Sequence, residues 1–412
     1  MTLIECFDES ALENIAACLL LPVTKVILLG ERSQMESAAQ RYRAFLKNRG
    51  KNITVELRDT VKKDLKGLVN LLRSIVYAED KCVIDLNGGD EMTVMAVGAM
   101  LAGLDDRQRK KVSVQRLDPE TGTIQDCDGD GSVQKGQPAA LSVEELIFLH
   151  GGIVHPRSFQ PDNAYSAADL DSLWEIVTED SHHWNTALGY LAEIEKYSSV
   201  LTDDRMTVFV VIGSLYHVQR LPDKLSCVRE LLKKLADRGL IEDHSSENYL
   251  DYSFRSPLIR YCTEKAGNVL EVKTLLEARG LKDKGSFCFQ DCRMGVSIDW
   301  DGKIFDSPGQ ESIPETRNEI DLILVQGLRP LFISCKNGHI GDDELYKLHT
   351  VATHFGGPNV RKMLIATNLN QKSDSANNAL IQRAEDMQIY LVRDAAKLSS
   401  GQWRQIFRDA MK

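Results

Sequence analysis

The sequence predicts an α/β protein in three parts: an N-terminal parallel sheet wrapped by helices (1–150), a helical connector with a winged-helix-like end (151–265), and a C-terminal mixed α/β domain (266–412). Three observations carry this reading. Short apolar strands and helices alternate through the first part, the pattern of a parallel sheet covered on both faces. The middle is dominated by amphipathic, helix-length stretches. The last part opens with a helix, passes through antiparallel strands, and returns to helix–strand alternation.

Composition sets the bounds. The chain has 412 residues, 43% of them hydrophobic and 27% charged, which is ordinary for a soluble globular protein with several cores. Its 50 basic and 60 acidic residues give 50 − 60 = −10 at pH 7, so nucleic acid is not bound through global basicity. Nine cysteines are scattered without a framework spacing, which fits reduced thiols in a cytoplasm. The start, MTLIECFDES, lacks the basic-then-apolar pattern of a signal peptide. No apolar stretch approaches the ~20 residues of a membrane span, so no membrane partner is expected.

In the first part, Leu3 to Phe7, Lys25 to Leu29, Ile53 to Leu57, Cys82 to Leu86 and Val112 to Leu117 read as strands. Ala11 to Leu20, Gln34 to Asn48, Lys62 to Tyr77 and a segment ending near Leu104 read as helices. Ligands of such sheets sit at the carboxyl ends of the strands. The loops there are Asp8-Glu9-Ser10, Gly30-Glu31-Arg32-Ser33, Arg58-Asp59-Thr60 and Asn87 to Thr93. The last is the most informative. Gly88 and Gly89 allow close backbone approach, and the following helix start offers free N–H groups to a phosphate or ribose edge. A tight turn that needs glycine for its dihedrals is the competing reading. There is no GxGxxG fingerprint, which argues against a nicotinamide cofactor. Asp126 to Gly131 imitates an EF-hand start, but position twelve is Gln137 rather than Glu and the flanks are not helical, so a hairpin tip is expected.

In the middle, a short helix (Ser142 to His150) and a connection (Gly151 to Asp162) lead into a mostly helical stretch from Ala167 to Tyr197. His182 and His183 diverge by about 100° on a helix and cannot easily share a metal. Arg205 to Tyr216 and Cys227 to Arg238 read as helices, followed by a possible β-wing at Gly239 to Glu242 and Tyr249 to Phe254. Lys233, Lys234 and Arg238 are positioned to touch DNA phosphates if the wing is real; a solvated charged connector is the preferred reading.

In the last part, Asn268 to Leu281 is a helix carrying Glu271, and Ser286 to Gln290 and Val296 to Trp300 are strands. NEIDLILVQGLRPLFISCKN (318–337) is a β-hairpin with a Gly-Leu-Arg-Pro turn. Side chains two apart share a strand face, which pairs Glu319 with Asp321 and Ser334 with Lys336. If register brings the faces together, carboxylates and an ammonium meet. That set suits a metal-dependent phosphodiesterase, with carboxylates on Mg2+ or Mn2+ and a lysine orienting water. Asp343 to Phe355, Ser375 to Met387 and Leu398 to Met411 are helices, and Arg361 to Ala366 and Ile389 to Val392 are strands. His349 and His354 lack a third ligand nearby and read as surface or nucleic-acid-facing residues.

The strand–NGGDEM–helix loop at the N-terminus resembles the CRISPR-associated Rossmann fold (CARF) sensor, a Rossmann-like domain. The C-terminal pattern resembles the restriction-endonuclease-like PD-(D/E)xK superfamily. Together, over some two thirds of the chain, they resemble the ancillary nucleases of type III CRISPR systems. The resemblance implies a homodimer whose two sensor domains form one symmetric pocket for a cyclic oligoadenylate, tetra-adenylate foremost. Ligand binding would shift the population toward an arrangement that cuts DNA or RNA. Asp321 then matches the metal-binding aspartate, Lys336 the motif lysine, and Glu271 the acidic residue of the first helix. The metal would rest on Asp321 and Glu271. Ser334 departs from the usual Glu or Asp; it ligates through water, or Glu319 provides the missing carboxylate. On the sensor side the resemblance points to Asn87, Gly88, Gly89, Asp90, Glu91 and Met92, with Ser10 and Gly30 beside them. Asp90 and Glu91 suit ribose hydroxyls, adenine amines or a helix cap rather than phosphates. Two rival readings stand: a ligand-sensing DNA-binding regulator with a degenerate nuclease fold, and a sensor that degrades its own ligand.

Overall fold

The computed structural model describes residues 1–8, 10–60, 64–118, 121–129, 131–133, 139–155, 167–199, 206–283, 285–300, 302, 317–338, 340–369 and 374–412. The chain begins with β1 (Thr2–Cys6), α1 (Ala11–Ile15), α2 (Ala17–Leu20), β2 (Lys25–Gly30), α3 (Arg32–Asn48), β3 (Thr54–Asp59) and α4 (Leu65–Ala78). Then come β4 (Cys82–Asp85), α5 (Glu91–Ala102), α6 (Asp106–Arg109), β5 (Val112–Asp118) and β6 (Thr123–Asp126). These strands form one sheet, ordered β3-β2-β1-β4-β5-β6, parallel except for β6. Strand alternation divides it into two layers. Leu3, Val26, Leu28 and Val83 pack with α1 to α3, while Ile4, Ile27, Leu29 and Ile84 pack with α4 and α5.

Within β6, Gln125 also bridges antiparallel to Val133. Asp130 and Gln137 of the EF-hand-like segment lie outside the described residues. So do Lys62, Arg205 and most of the connection after Val154.

The middle contains α7 (Val143–Leu149), β7 (Ile153–Val154), α8 (Ala167–Glu179), α9 (Ser181–Glu195), β8 (Thr207–Val211), α10 (Leu221–Asp237), β9 (Ile241–Asp243), β10 (Tyr249–Phe254) and α11 (Pro257–Glu264). One expectation fails here. Thr207–Val211 is a strand, followed by a 3-10 turn over Ile212–Leu215, and not a helix. Its sequence, TVFVV, is a β-branched and aromatic run, and it finds β10 as a partner. The sheet β8-β10-β9 stands beside α10, a helix followed by a wing. Two of the basic residues on α10 and just after it are turned inward to α8. Lys234 pairs with Glu179 at 3.6 Å, and Arg238 with the same carboxylate at 2.6 Å.

The last part holds α12 (Asn268–Arg279), β11 (Lys282–Asp283), β12 (Ser286–Phe287), β13 (Asp291–Asp299), β14 (Arg317–Gln326), β15 (Arg329–Lys336), α13 (Asp342–Gly356), β16 (Arg361–Ala366), α14 (Asp374–Asp386), β17 (Ile389–Val392) and α15 (Ser400–Ala410). The second large sheet is ordered β17-β16-β15-β14-β13-β7. Its far edge strand therefore comes from the middle of the chain, where Ile153 and Val154 pair with Asp299 and Ile298. The hairpin turn is tighter than expected. Gln326 pairs with Arg329, leaving only Gly327 and Leu328 in the loop, with Gly327 at φ +63°.

Two cores flank this sheet. One joins it to α12, α15 and the connector, with Trp184, Trp403 and Phe407 fully buried. The other joins it through α7 and α13 to the α1–α3 layer of the first sheet. α7 is fixed at both ends of that junction. Its capping box is Ser142 and Glu145, Glu145 pairs with Arg49 of the C-cap of α3, and the Val143 N–H donates to Asp291 of β13 at 2.9 Å.

Candidate functional site

At the hairpin, the strand pairing β13–β14 runs regularly except at Gly295 and Asp321. Ile320 and Leu322, two apart, face different cores, so the side-chain alternation breaks at Asp321. Gly295, opposite, adopts φ +58°, and a Cβ there would sit 3.9 Å from a Glu319 carboxylate oxygen. The kink brings Asp321 against β15. Its Oδ2 accepts from the Cys335 N–H at 2.6 Å and the Ser334 hydroxyl at 3.2 Å. Ser334 is thus an anchor for Asp321. Cys335 turns the other way, into the core, and its thiol donates to Thr274 of α12 at 3.8 Å.

Glu271 lies in the first turn of α12. Burial, then the negative charges of Asp321 and Glu319, push its carboxyl up to about 8. Lys265 and Lys336 pull the other way. Asp321 is also raised, by burial first, although the Cys335 N–H, Lys336 and Ser334 oppose the rise. Glu271, Asp321, Glu319 and Lys336 thus lie near enough to act on one another electrostatically. Burial alone would depress Lys336. The Glu344 carboxylate of α13, 2.8 Å from Nζ, and Asp321 more than offset that, and the ammonium is held above its ordinary range.

The fit to a divalent metal can be judged from these groups. The donors are hard carboxylate oxygens, and Glu271 is raised first by burial and then by the Asp321 and Glu319 charges beside it. Yet among the described residues no group of three or more His, Cys, Asp or Glu side chains is placed to hold a metal ion. Such a half-built set suits Mg2+ or Mn2+, which keep waters and take substrate phosphate oxygens alongside one or two carboxylates. Elsewhere, His183 faces Glu230 at 3.8 Å, His349 faces the Lys362 ammonium at 3.0 Å, and His354 stacks on Trp300 at 4.5 Å.

The carboxyl ends of the first sheet enclose a cleft of about 300 Å3. Gly30, Gly89, Asp90 and Met92 line it, with Phe7, Gln34, Thr60 and Asp64. The N-caps of α3, α4 and α5, respectively Glu31, Asp64 and Asp90, all border it. Three helix N-termini thus converge on one space, a favourable field for an anion despite the acidic side chains. Asp64 and Asp90 spend those side chains as caps, accepting from Gly67 N–H and Thr93 N–H. The tight-turn reading of the glycines is met by the backbone. Gly89 has φ +91°, and a Cβ on Gly88 would stand 2.0 Å from the Cys6 carbonyl oxygen.

The remaining expected residues lie elsewhere. The Asn87 amide bridges to the Leu117 backbone, donating at 2.7 Å and accepting at 2.5 Å. Glu91 is exposed on the first turn of α5. Ser10 is buried at the start of α1, beside Gly357.

Sequence reasoning did not single out Glu344, Lys265 or the bracing pair Asn185–Asn337, in which Asn185 donates to the Asn337 carbonyl at 2.8 Å and Asn337 donates back at 2.9 Å. These contacts join segments far apart in the chain and leave no local pattern. Thr60 had a signal: its loop was among those expected at the carboxyl edge.

No family model and no curated protein matches the chain. Solved structures do. Protein VC1899 from Vibrio cholerae superposes with a TM-score of 0.69 at 16% identity, covering 100% of this chain and 97% of that one. Can2 from Sulfobacillus thermosulfidooxidans, in complex with cyclic tetra-adenylate, gives 0.64 at 15% identity, covering 100% and 99%. The chain shares their fold from end to end.

Proposed function

We propose that this protein is a metal-dependent nuclease of type III CRISPR antiviral defence, activated by a cyclic oligoadenylate and cutting DNA or RNA. The observation that carries this reading is the convergence of Asp321, Glu271, Glu319 and Lys336 on one kinked hairpin, in a chain whose other end offers a cleft bordered by three helix N-termini. The shared fold with Can2, solved with cyclic tetra-adenylate, supports that ligand as the activator.

Asp321 and Glu271 would hold Mg2+ or Mn2+, with Glu319 beside them. When bound, the metal supplies Lewis acidity at the scissile phosphate. Ser334 and the Cys335 N–H fix the Asp321 carboxylate through Oδ2, so Oδ1 is not used by these bonds. The Lys336 ammonium orients the attacking water and stabilises charge developing on the phosphate.

A cyclic oligonucleotide exceeds one 300 Å3 cleft, so two copies would share it. The α5 face suits that contact. From Met92 to Gly103 it carries no charged residue, and Val94 and Met95 are 53% and 62% exposed. Nine unpaired cysteines, most of them buried, fit a cytoplasmic setting.

The test is incubation of the protein with plasmid and labelled single strands, with Mn2+, with and without cyclic tetra-adenylate. Ligand-dependent cutting supports the reading. A duplex gel shift without cleavage supports a ligand-sensing regulator instead. Loss of the activator on incubation, without cutting, supports the self-degrading sensor.

A further inference from the structure

The hairpin leaves its lysine without a carboxylate on its own strand: two residues before Lys336 stands Ser334, and its hydroxyl is spent on Asp321. Among the described residues, the carboxylate paired with Lys336 Nζ comes from outside the hairpin, from Glu344, at 2.8 Å. Both side chains are about a quarter exposed, 26% and 28%, so the pair is partly shielded from solvent. We propose that Glu344 is the positioning residue for Lys336, supplying from α13 the carboxylate that fixes the ammonium beside Asp321. This rests on the nuclease reading above.

Three features make Glu344 suited to the task. It sits in the first turn of α13, where its N–H donates to the Gly341 carbonyl at 3.2 Å, so its backbone is set by the helix. A negative charge is favoured at that end of a helix. Leu345 and Leu348 of the same turns are fully buried, which fixes the face that Glu344 presents. Lysine is otherwise a flexible point charge on a four-carbon stem, and an ammonium that must meet one water needs a partner to hold it. The other charges near Lys336 are Asp321 on β14 and Glu271 on α12, and both belong to the metal side of the site.

Two measurements test this. Lysine-selective NMR, with Lys336→Arg to assign the signal, reads the mobility of the Lys336 side chain in the wild type and in Glu344→Gln. The expected result is a rigid side chain that becomes as mobile as a surface lysine in the variant; unchanged mobility overturns the proposal, whether or not the protein cuts nucleic acid. In cleavage, Glu344→Gln is expected to lower kcat about tenfold with KM within about twofold, and Glu344→Asp to recover part of the loss. An unchanged kcat in Glu344→Gln also overturns the proposal. Failure of the wild type to cut under every condition would refute the nuclease reading, while the NMR result would still decide the pair.

Discussion

The chain holds two clusters of carboxylic acids, and they differ in what surrounds them. Inside the N-terminal domain, Glu5 and Asp85 are register partners on neighbouring parallel strands, fully buried, with Glu13 nearby. Among the described residues, both Glu5 oxygens and Asp85 Oδ2 find no hydrogen-bond partner. Burial, then mutual repulsion, raises Glu5; burial lifts Asp85 to about 6, and burial with Asp8 and Asp85 lifts Glu13 to about 7. At the hairpin, Glu271 and Asp321 are also raised, but neither is fully buried, Glu319 is exposed, and two lysines reach the group. Crowded acids alone therefore do not mark a metal site. The ion-paired Lys336 ammonium beside Asp321 distinguishes the hairpin, whereas Glu5 and Asp85 are sealed inside the sheet.

The sharpest way to break that contrast is to neutralise one acid in each cluster. Glu271→Gln is expected to cut activity at least a hundredfold while leaving the melting temperature unchanged or higher. Glu5→Gln is expected to leave the cleavage rate within about twofold. Equal effects on cleavage would erase the distinction.

Next in size is the cleft. Gly88→Ala drives a Cβ into the Cys6 carbonyl oxygen, which is backbone and cannot yield cheaply. The expected cost is about 3 kcal/mol, read from chemical denaturation. A neutral result would show that the loop relaxes and that its tightness is not what shapes the cleft.

The pH dependence comes third. Acids raised in the folded state bind more protons than in the unfolded chain, so their contribution is complete below the ordinary carboxyl range and fades as pH rises. For Asp85 and Glu13 the window runs from about pH 4 to about 7, judged from folded values of about 6 and about 7. The melting temperature should fall across that window. Glu5→Gln should raise it by a few degrees at pH 8 and leave it unchanged near pH 4. A stability curve that rises from pH 4 to 7 would contradict the sealed-cluster account.

Smallest is Asn185→Ala, which removes the brace between α9 and the end of β15. About 1 kcal/mol is expected in denaturation, with a modest loss of cleavage. No loss of either would mean that the hairpin end needs no support from the connector.

Much of this was legible in the sequence, and the limits have physical causes. The parallel sheet follows from KVILL and CVIDL, whose unbroken apolar runs fit strands buried on both faces. Asp321 and Lys336 were legible because hairpin register is local. The kink at Asp321 was not, because it depends on Gly295 in a different strand at positive φ. Glu344 was hidden for a similar reason: only the docking of α13 brings it to Lys336. Thr207–Val211 was misread as helix although its composition favours a strand, and its partner strand lies about forty residues on.

The central claim is that a ligand at the first sheet controls hydrolysis at the hairpin. The most direct measurement is cleavage of labelled nucleic acid with Mn2+ in the presence and absence of cyclic tetra-adenylate, for wild type and Lys336→Ala. The account predicts cutting only by wild type and only with the ligand. Cutting that persists in Lys336→Ala, or that ignores the ligand, would contradict it.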